Sequence, residues 1–369
     1  MKHTEPVFQI FATPTWGGGE QFVYDLTRRL LDDKRRVVLI SRPSEIIRQR
    51  VEGLNAPYHT LPLKGALDLV SAWRLARLML KYRPEVIHVH HFKNAFTAAY
   101  ARLLCRPFGI RPRIILTRHL VRRGKRGGLY RWLYTQIDRI AFVSELARRE
   151  FLAGNPGINP AKLCVIHNSV PEIDSLQTDG PLPDLHRKYG VPAQTPLLLF
   201  SGRLVPEKGC EVLLKACARL GERPFALFLA GSGPKEYEKR LHEMARQTGI
   251  APKTHFLGFV RHVRHLLQQA DLCVFPSVWA EPFGLTIIEA MQAGRALVTT
   301  NNGAQPEFVD NGITGLLVPP SDDEALARAI ARLLDDADLR RRMGDAARQT
   351  FEQELSYERF YERYLTLYA

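Results

Sequence analysis

Two cations five positions apart and two carboxylates eight positions apart are the residues of this chain best suited to chemistry. Arg203 and Lys208 lie in Ser201-Gly-Arg-Leu-Val-Pro-Glu-Lys-Gly209, directly after an apolar run that reads as a strand. The strand end delivers Arg203, and a loop returns Lys208 beside a helix start. Two cations converging near a helix N-terminus suit a diphosphate, because the side-chain charges and the free backbone amides of that end both favour an anion. The carboxylates lie in Ser277-Val-Trp-Ala-Glu281-Pro-Phe-Gly-Leu-Thr-Ile-Ile-Glu289-Ala-Met-Gln-Ala-Gly294. Glu281 falls on a loop, just before a helix predicted to open near Phe283, and Glu289 falls about two turns inside it. One carboxylate can face a reacting group while the other accepts hydrogen bonds from a diol such as ribose. The amides of Phe283, Gly284 and Leu285, at the helix start, can bind phosphate.

The first half of the chain offers a second set. Thr15-Trp-Gly-Gly-Gly-Glu20 follows an apolar run and precedes an amphipathic one. Gly18 and Gly19 let backbone amides approach a ligand closely at a positive helix end. The pattern is not G-x-G-x-x-G, which argues against an ordinary dinucleotide dehydrogenase. His88, His90 and His91 cluster at another strand end. A soft-metal site, a place on the acceptor side for His90 and His91, and a structural role are all open to them. No Asp-x-Asp or other metal-ligand spacing occurs, so no metal is expected. The five cysteines are odd in number and scattered, as reduced thiols of a cytosolic protein would be.

Charge is unevenly placed. Residues 1–180 hold 29 basic and 15 acidic side chains, a net of +14, while residues 181–369 hold 23 of each. No acid occurs from Val86 to Ile137. Such a field suits a partner with phosphates: anionic lipid, a lipid-linked acceptor or nucleic acid. Arg122, Arg123, Lys125 and Arg126 precede Tyr130 and Trp132, and basic residues among aromatics suit a membrane interface. A second basic segment, from Trp73 to Arg83, has apolar positions that read as a buried helix face. The neutral second half and the lack of any nucleic-acid module argue against a nucleic-acid binder. No run approaches 18 apolar residues, and the start, Met1 to Pro6, has no apolar core of a signal peptide. A cytoplasmic protein, peripheral on the inner face of the cytoplasmic membrane, is expected.

These residues need elements to hold them. Short apolar runs at 7–11, 37–41, 86–90, 113–117, 140–144 and 163–168 alternate with amphipathic runs near 19–32, 67–82, 94–105 and 145–152. The second half repeats the pattern, with strands at 196–201, 226–230, 255–257, 272–276, 296–300 and 315–318. Its helices fall at 208–220, 235–248, 261–269, 284–293 and 322–334. Near-continuous apolar strands between helices mean parallel sheets covered on both faces. The length of 369 residues suits two domains. The Pro- and Asp-rich stretch 171–196, predicted as a linker with a helical turn, divides them. The domains expected are 1–175, 176–350, and an aromatic-rich C-terminal helix in 351–369 packing back on the first.

Taken together, Ser201 to Gly209, Phe228 to Gly233, Phe256 to Val260, Asp271 to Gly294 and Asn311 to Pro320 resemble the retaining glycosyltransferases of family 4. The match is dense over about 200–350 and looser over 1–180. The resemblance implies an α/β GT-B fold, two Rossmann-like domains facing each other across a cleft, and a hexosyltransferase acting without a metal. It implies that Arg203 and Lys208 hold the donor diphosphate, that Glu281 contacts the donor sugar, and that Glu289 binds the ribose. It places the amides of Phe283, Gly284 and Leu285 at the diphosphate, and Gly18 and Gly19 in a loop over the donor. His119, in Thr117-Arg-His119-Leu, takes the place of a first-domain histidine near the donor sugar, with Arg118-His119-Leu120 standing for a commoner His-Asp pairing. Ile166-His-Asn-Ser-Val170 stands for Pro-Asn-Gly, so Asn168 aligns and Ser169 replaces Gly. The catalytic set is then Glu281, His119, Lys208 and Arg203. The partners are a nucleotide-sugar donor, which is a substrate rather than a cofactor, a glycan or lipid-linked acceptor of the lipopolysaccharide-core type, and an anionic membrane surface. The alternative on the same fold is a nucleotide-sugar epimerase.

Overall fold

The structure is a computed structural model that describes residues 5–13, 16–172, 184–261 and 263–369. Thr15 of the glycine-rich loop, and the expected domain boundary at 175/176, lie outside the described residues. Contacts divide the chain into two units. The first runs to Asn168 and takes back Glu358–Ala369, and the second is Ser169–Tyr357.

Unit 1 alternates strands and helices: β1 (Val7–Ile10), α1 (Gly18–Asp32), β2 (Val37–Ser41), α2 (Glu45–Val51), β3 (Tyr58–Thr60), α3 (Leu69–Tyr82), β4 (Val86–Val89), α4 (Phe92–Cys105), β5 (Arg113–Arg118), α5 (Gly128–Gln136), β6 (Arg139–Phe142), α6 (Glu145–Ala153) and β7 (Leu163–Val165). The strands form one parallel sheet in the order β3-β2-β1-β4-β5-β6-β7. β1, β2 and β4 are buried along their whole length, as strands covered on both faces must be. The edge strand β3 is half-exposed and only three residues long, and its Tyr-His-Thr run gave no apolar signal to the sequence reading. In α3, Leu75 and Met79 are buried as predicted, while Trp73 and Leu80 are exposed.

Unit 2 holds α7 (Leu185–Tyr189), β8 (Leu197–Ser201), α8 (Cys210–Ala218), β9 (Ala226–Ala230), α9 (Lys235–Gln247), β10 (Thr254–Gly258), α10 (Val263–Gln269), β11 (Leu272–Phe275), α11 (Leu285–Gln292), β12 (Ala296–Thr300), β13 (Leu316–Val318), α12 (Asp323–Asp335) and α13 (Ala337–Thr350). The sheet is again parallel, in the order β10-β9-β8-β11-β12-β13. α7 is the helical turn expected within 171–196. α13 was not anticipated, because only Met343, Gly344 and Ala347 of its fourteen residues are buried and its apolar stripe is thin.

The last helix, α14 (Tyr357–Tyr368), groups with unit 1 from Glu358 onward. Phe360, Tyr361, Tyr364 and Tyr368 are all buried there, and Phe22 meets both Phe360 and Tyr364 edge to face. Among the described residues no helix is long and apolar enough to cross a membrane.

Candidate active site

Sheet topology fixes where chemistry can sit in each unit. In unit 2, β8 lies beside β11, and the strands that follow each run outward in opposite directions. The loops after β8 and β11 therefore flank the switch point of the sheet, where a parallel sheet leaves an open crevice. Arg203 and Lys208 follow β8, and Ser277 and Glu281 follow β11. The two loops press together backbone to backbone. Gly209 has φ +72°, and a side chain on it would overlap the Pro276 carbonyl oxygen. The Val278 N–H donates to the Glu207 carbonyl at 2.9 Å. This contact carries Lys208 to Glu281, with Nζ 2.5 Å from Oε1. The same carboxylate oxygen accepts from Ser277 Oγ at 2.6 Å. Behind it, Thr300 Oγ1 donates to the Ser277 carbonyl at 2.8 Å, and the Ala304 N–H donates to the Glu281 carbonyl at 3.0 Å. Glu281 is only 5% exposed, and Lys208 and Ser277 are the partners that offset its burial. Arg203 is exposed, and among the described residues no ion pair or hydrogen bond engages its guanidinium.

The helix after Glu281 opens at Leu285, two residues later than the sequence suggests. Gly284, with φ +104°, is its N-cap, and no side chain caps it. Leu285 thus stands at the helix start, where backbone amides are short of partners. The ring of Phe283 belongs to the core, its centroid 4.9 Å from that of Phe308 and tilted 44° to it. Glu289, one turn into α11, forms a separate pair, with its Oε1 3.0 Å from Arg264 Nε on α10. Arg264 also donates to the Pro171 carbonyl at 2.7 Å.

In unit 1 the switch point lies between β1 and β4. Gly18 and Gly19 open α1 after β1, His90 and His91 follow β4, and His119 follows β5. His90 and His119 join a buried chain of hydrogen bonds. Gln9 donates Nε2–H to the Tyr368 hydroxyl at 3.1 Å and accepts at Oε1 from His90 Nε2 at 2.7 Å. Burial, and then the neighbouring histidines, hold His90 well below the usual histidine pKa, so the ring is neutral and its Nδ1 accepts from His119 Nε2 at 3.3 Å. The Tyr368 hydroxyl in turn donates to His88 Nδ1, and His88 Nε2 donates to Thr117 Oγ1, both at 2.7 Å. Burial takes His119 down to about 3. His91 is held apart, accepting from the Ala12 N–H at 3.3 Å and bonded to Thr13 Oγ1 at 2.9 Å. His90, His91, His119 and Gly19 all line one cavity of about 560 Å³. Arg122, Arg123 and Lys125 line it too. Arg126 donates to the Gly154 carbonyl at 3.0 Å. Tyr130 and Trp132 are half-buried, stacked on Phe92 and on Tyr100 of α4 at 6.1 and 5.2 Å.

Residues 16–172 match the family described as "Glycosyltransferase Family 4", and residues 183–350 match "Glycosyl transferases group 1". The chain is a member of these glycosyltransferases. The glycosyltransferase is 26% identical over 344 residues to an uncharacterized glycosyltransferase of Methanocaldococcus jannaschii, covering 87% of this chain and 85% of that one. It is 33% identical over 182 residues to the lipopolysaccharide core biosynthesis glycosyltransferase LpsE of Rhizobium meliloti, covering 49% and 52%. Its fold matches the crystal structure of HepE of Anabaena in complex with UDP, with TM-score 0.84 at 20% identity, covering 98% of this chain and 99% of that one. The two parallel-sheet halves are those of GT-B glycosyltransferases. None of these likenesses supports the epimerase alternative.

Sequence reasoning about the glycosyltransferase missed two residues that the structure adds. Ser277 opens the segment that carries Glu281, and a serine hydroxyl gives no sequence signal until the fold sets it 2.6 Å from that carboxylate. Arg264 sits in a helix predicted only for its apolar residues, and nothing in its spacing pointed to Glu289, 25 positions on.

Proposed function

We propose that this glycosyltransferase moves a hexosyl group from a nucleotide-sugar to a lipid-linked or lipopolysaccharide-core glycan, retaining the anomeric configuration and using no metal. The observation that carries the reading is the 2.5 Å pair of Lys208 and Glu281 at the switch point of the unit 2 sheet. When a glycosidic bond to a nucleotide breaks, negative charge develops on the departing diphosphate. Lys208, Arg203 and the free amides opening α11 are placed to neutralise it. Glu281, anchored by Ser277, faces the donor sugar, and Glu289 with Arg264 takes the ribose hydroxyls. The acceptor hydroxyl attacks on the leaving-group face and a diphosphate oxygen takes its proton. UDP is the first nucleotide to test, since HepE binds it. LpsE, named for lipopolysaccharide core, supports the acceptor class. A cytoplasmic site at a membrane's inner face follows from such an acceptor and from the basic surface of unit 1.

A thermal-shift screen with UDP-, GDP- and ADP-sugars tests the donor. A ligand at 100 times its Kd stabilises by about 2.7 kcal/mol. Lys208→Ala and Glu281→Ala each lower turnover about 10²-fold or more, the scale of losing one electrostatic stabiliser. A near-normal kcat in either variant, or an epimerised sugar formed without acceptor, overturns the reading.

A further inference from the structure

Deepening the transferase reading, and resting on it for the word acceptor, we propose that the unit 1 cavity binds a phosphate monoester carried by the acceptor. Arg42, Lys64, Lys93, Arg122, Arg123 and Lys125 stand exposed around it, and Glu20 is the one acid among its lining residues. The decisive residue is Arg118, in the wall. Its guanidinium lies over the rings of Phe151 and Phe92 at 4.9 and 5.3 Å and donates to the Arg122 carbonyl at 3.2 Å. Its Nε is buried without a partner, and among the described residues no carboxylate pairs with it. Burial draws its pKa down to about 10. Arg118 is half-buried, and a guanidinium whose Nε is shut off from water without a partner or counter-ion is costly, a cost that an anion delivered by a ligand reduces.

A second, independent feature points the same way. The first residues of α4, Phe92, Lys93 and Asn94, line the same cavity. No acid lies in the first turn of this fourteen-residue helix, and its N-cap, His91, makes no side-chain cap. Asn94 is 2% exposed, and its Nδ2 has no partner. Unsatisfied donors, a positive helix end and seven cations call for a group with several acceptor oxygens and nearly two charges, which a phosphate monoester has and a carboxylate lacks. A volume of about 560 Å³ leaves room for the sugar that bears it.

The ester can come from a free sugar phosphate or from the headgroup of a lipid. Calorimetric titration of the full chain with glucose 6-phosphate, glucose and inorganic phosphate reads the first. Flotation with phosphatidylcholine vesicles carrying phosphatidic acid, a phosphate monoester, reads the second, with phosphatidylglycerol, a singly charged diester, as the control for a merely anionic surface. Glucose 6-phosphate is expected to bind at least tenfold tighter than glucose. Arg118→Gln is expected to weaken it tenfold or more. The exposed pair R122Q/R123Q, which leaves the core untouched, does the same and keeps the test valid should Arg118→Gln not fold. The proposal is overturned if neither glucose 6-phosphate nor phosphate binds, or if both variants bind as wild type. It is equally overturned if the variants lose only phosphatidylglycerol binding, since those cations would then serve a membrane surface. Titration with UDP-sugar is a separate arm. A chain that takes up the phosphate ester but no nucleotide-sugar would sink the transferase reading and leave the cavity assignment standing.

Discussion

His90 shows how a single buried residue can couple structure to pH. The groups facing it are His88, His119 and His91, with Glu20 beside His91. Burial holds His88 and His90 well below the ordinary histidine value, and takes His119 to about 3. In the unfolded chain each titrates near 6.5. Below about 6.5 the unfolded chain therefore binds protons that folded unit 1 refuses. Stability is lost as pH falls below about 6.5, by at most about 1.4 kcal/mol per pH unit for each such histidine, and is unaffected by these groups above that. Scanning calorimetry between pH 7 and 4.5 checks this. His90→Gln is expected to remove one proton's worth of the slope, and an unaltered slope would mean that His90 is already charged in the folded protein.

Among elements, the turn from β8 into α8 holds Arg203 and Lys208, and Gly209 holds the turn. Its φ of +72° and the closeness of the Pro276 carbonyl leave no room for a Cβ. Gly209→Ala must strain the backbone, at about 1–3 kcal/mol, and separate the two loops. Lys208 then withdraws from Glu281. Donor affinity is expected to fall tenfold or more, with a lower melting temperature, as titration and thermal unfolding of the same variant would show. Unchanged donor affinity would mean that the pairing of the loops does not position Lys208. The glycines of Ser201 to Gly209 marked the turn in the sequence, but the carbonyl against which Gly209 packs lies 67 residues away.

For the whole molecule, the chain returns to unit 1 for its last helix. Tyr361 donates to Asp33 at 2.7 Å, Arg29 pairs with Glu358 at 2.9 Å, and Tyr368 closes the hydrogen-bond chain through Gln9 and His88. Ending the chain at Tyr357 removes four buried aromatics, each worth about 1.5–3 kcal/mol, and leaves Gln9 and His88 short of a partner. The unit 1 unfolding transition is expected to fall by about 10 °C or more. Tyr368→Phe, which keeps the ring, is expected to cost about 1–3 kcal/mol. An unshifted transition in the truncated chain would show that unit 1 does not depend on α14.

The sequence by itself determined the alternation of strand and helix and the doubling of that pattern, and it singled out Arg203, Lys208, Glu281 and Glu289 as candidates. Local patterning suffices for these, because apolar period, proline, glycine and charge act over a few residues. It overlooked β3, α2, α5 and α13, which are short, edge-placed or polar and owe their form to what they pack against. Only the tertiary structure decided that Ser277 and Lys208 share one oxygen of Glu281, that Arg264 pairs with Glu289, and that the Nε of Arg118 is buried without a partner. Each of these depends on strands far apart in the chain lying side by side, and side-by-side placement is a property of the sheet order, which no local pattern encodes.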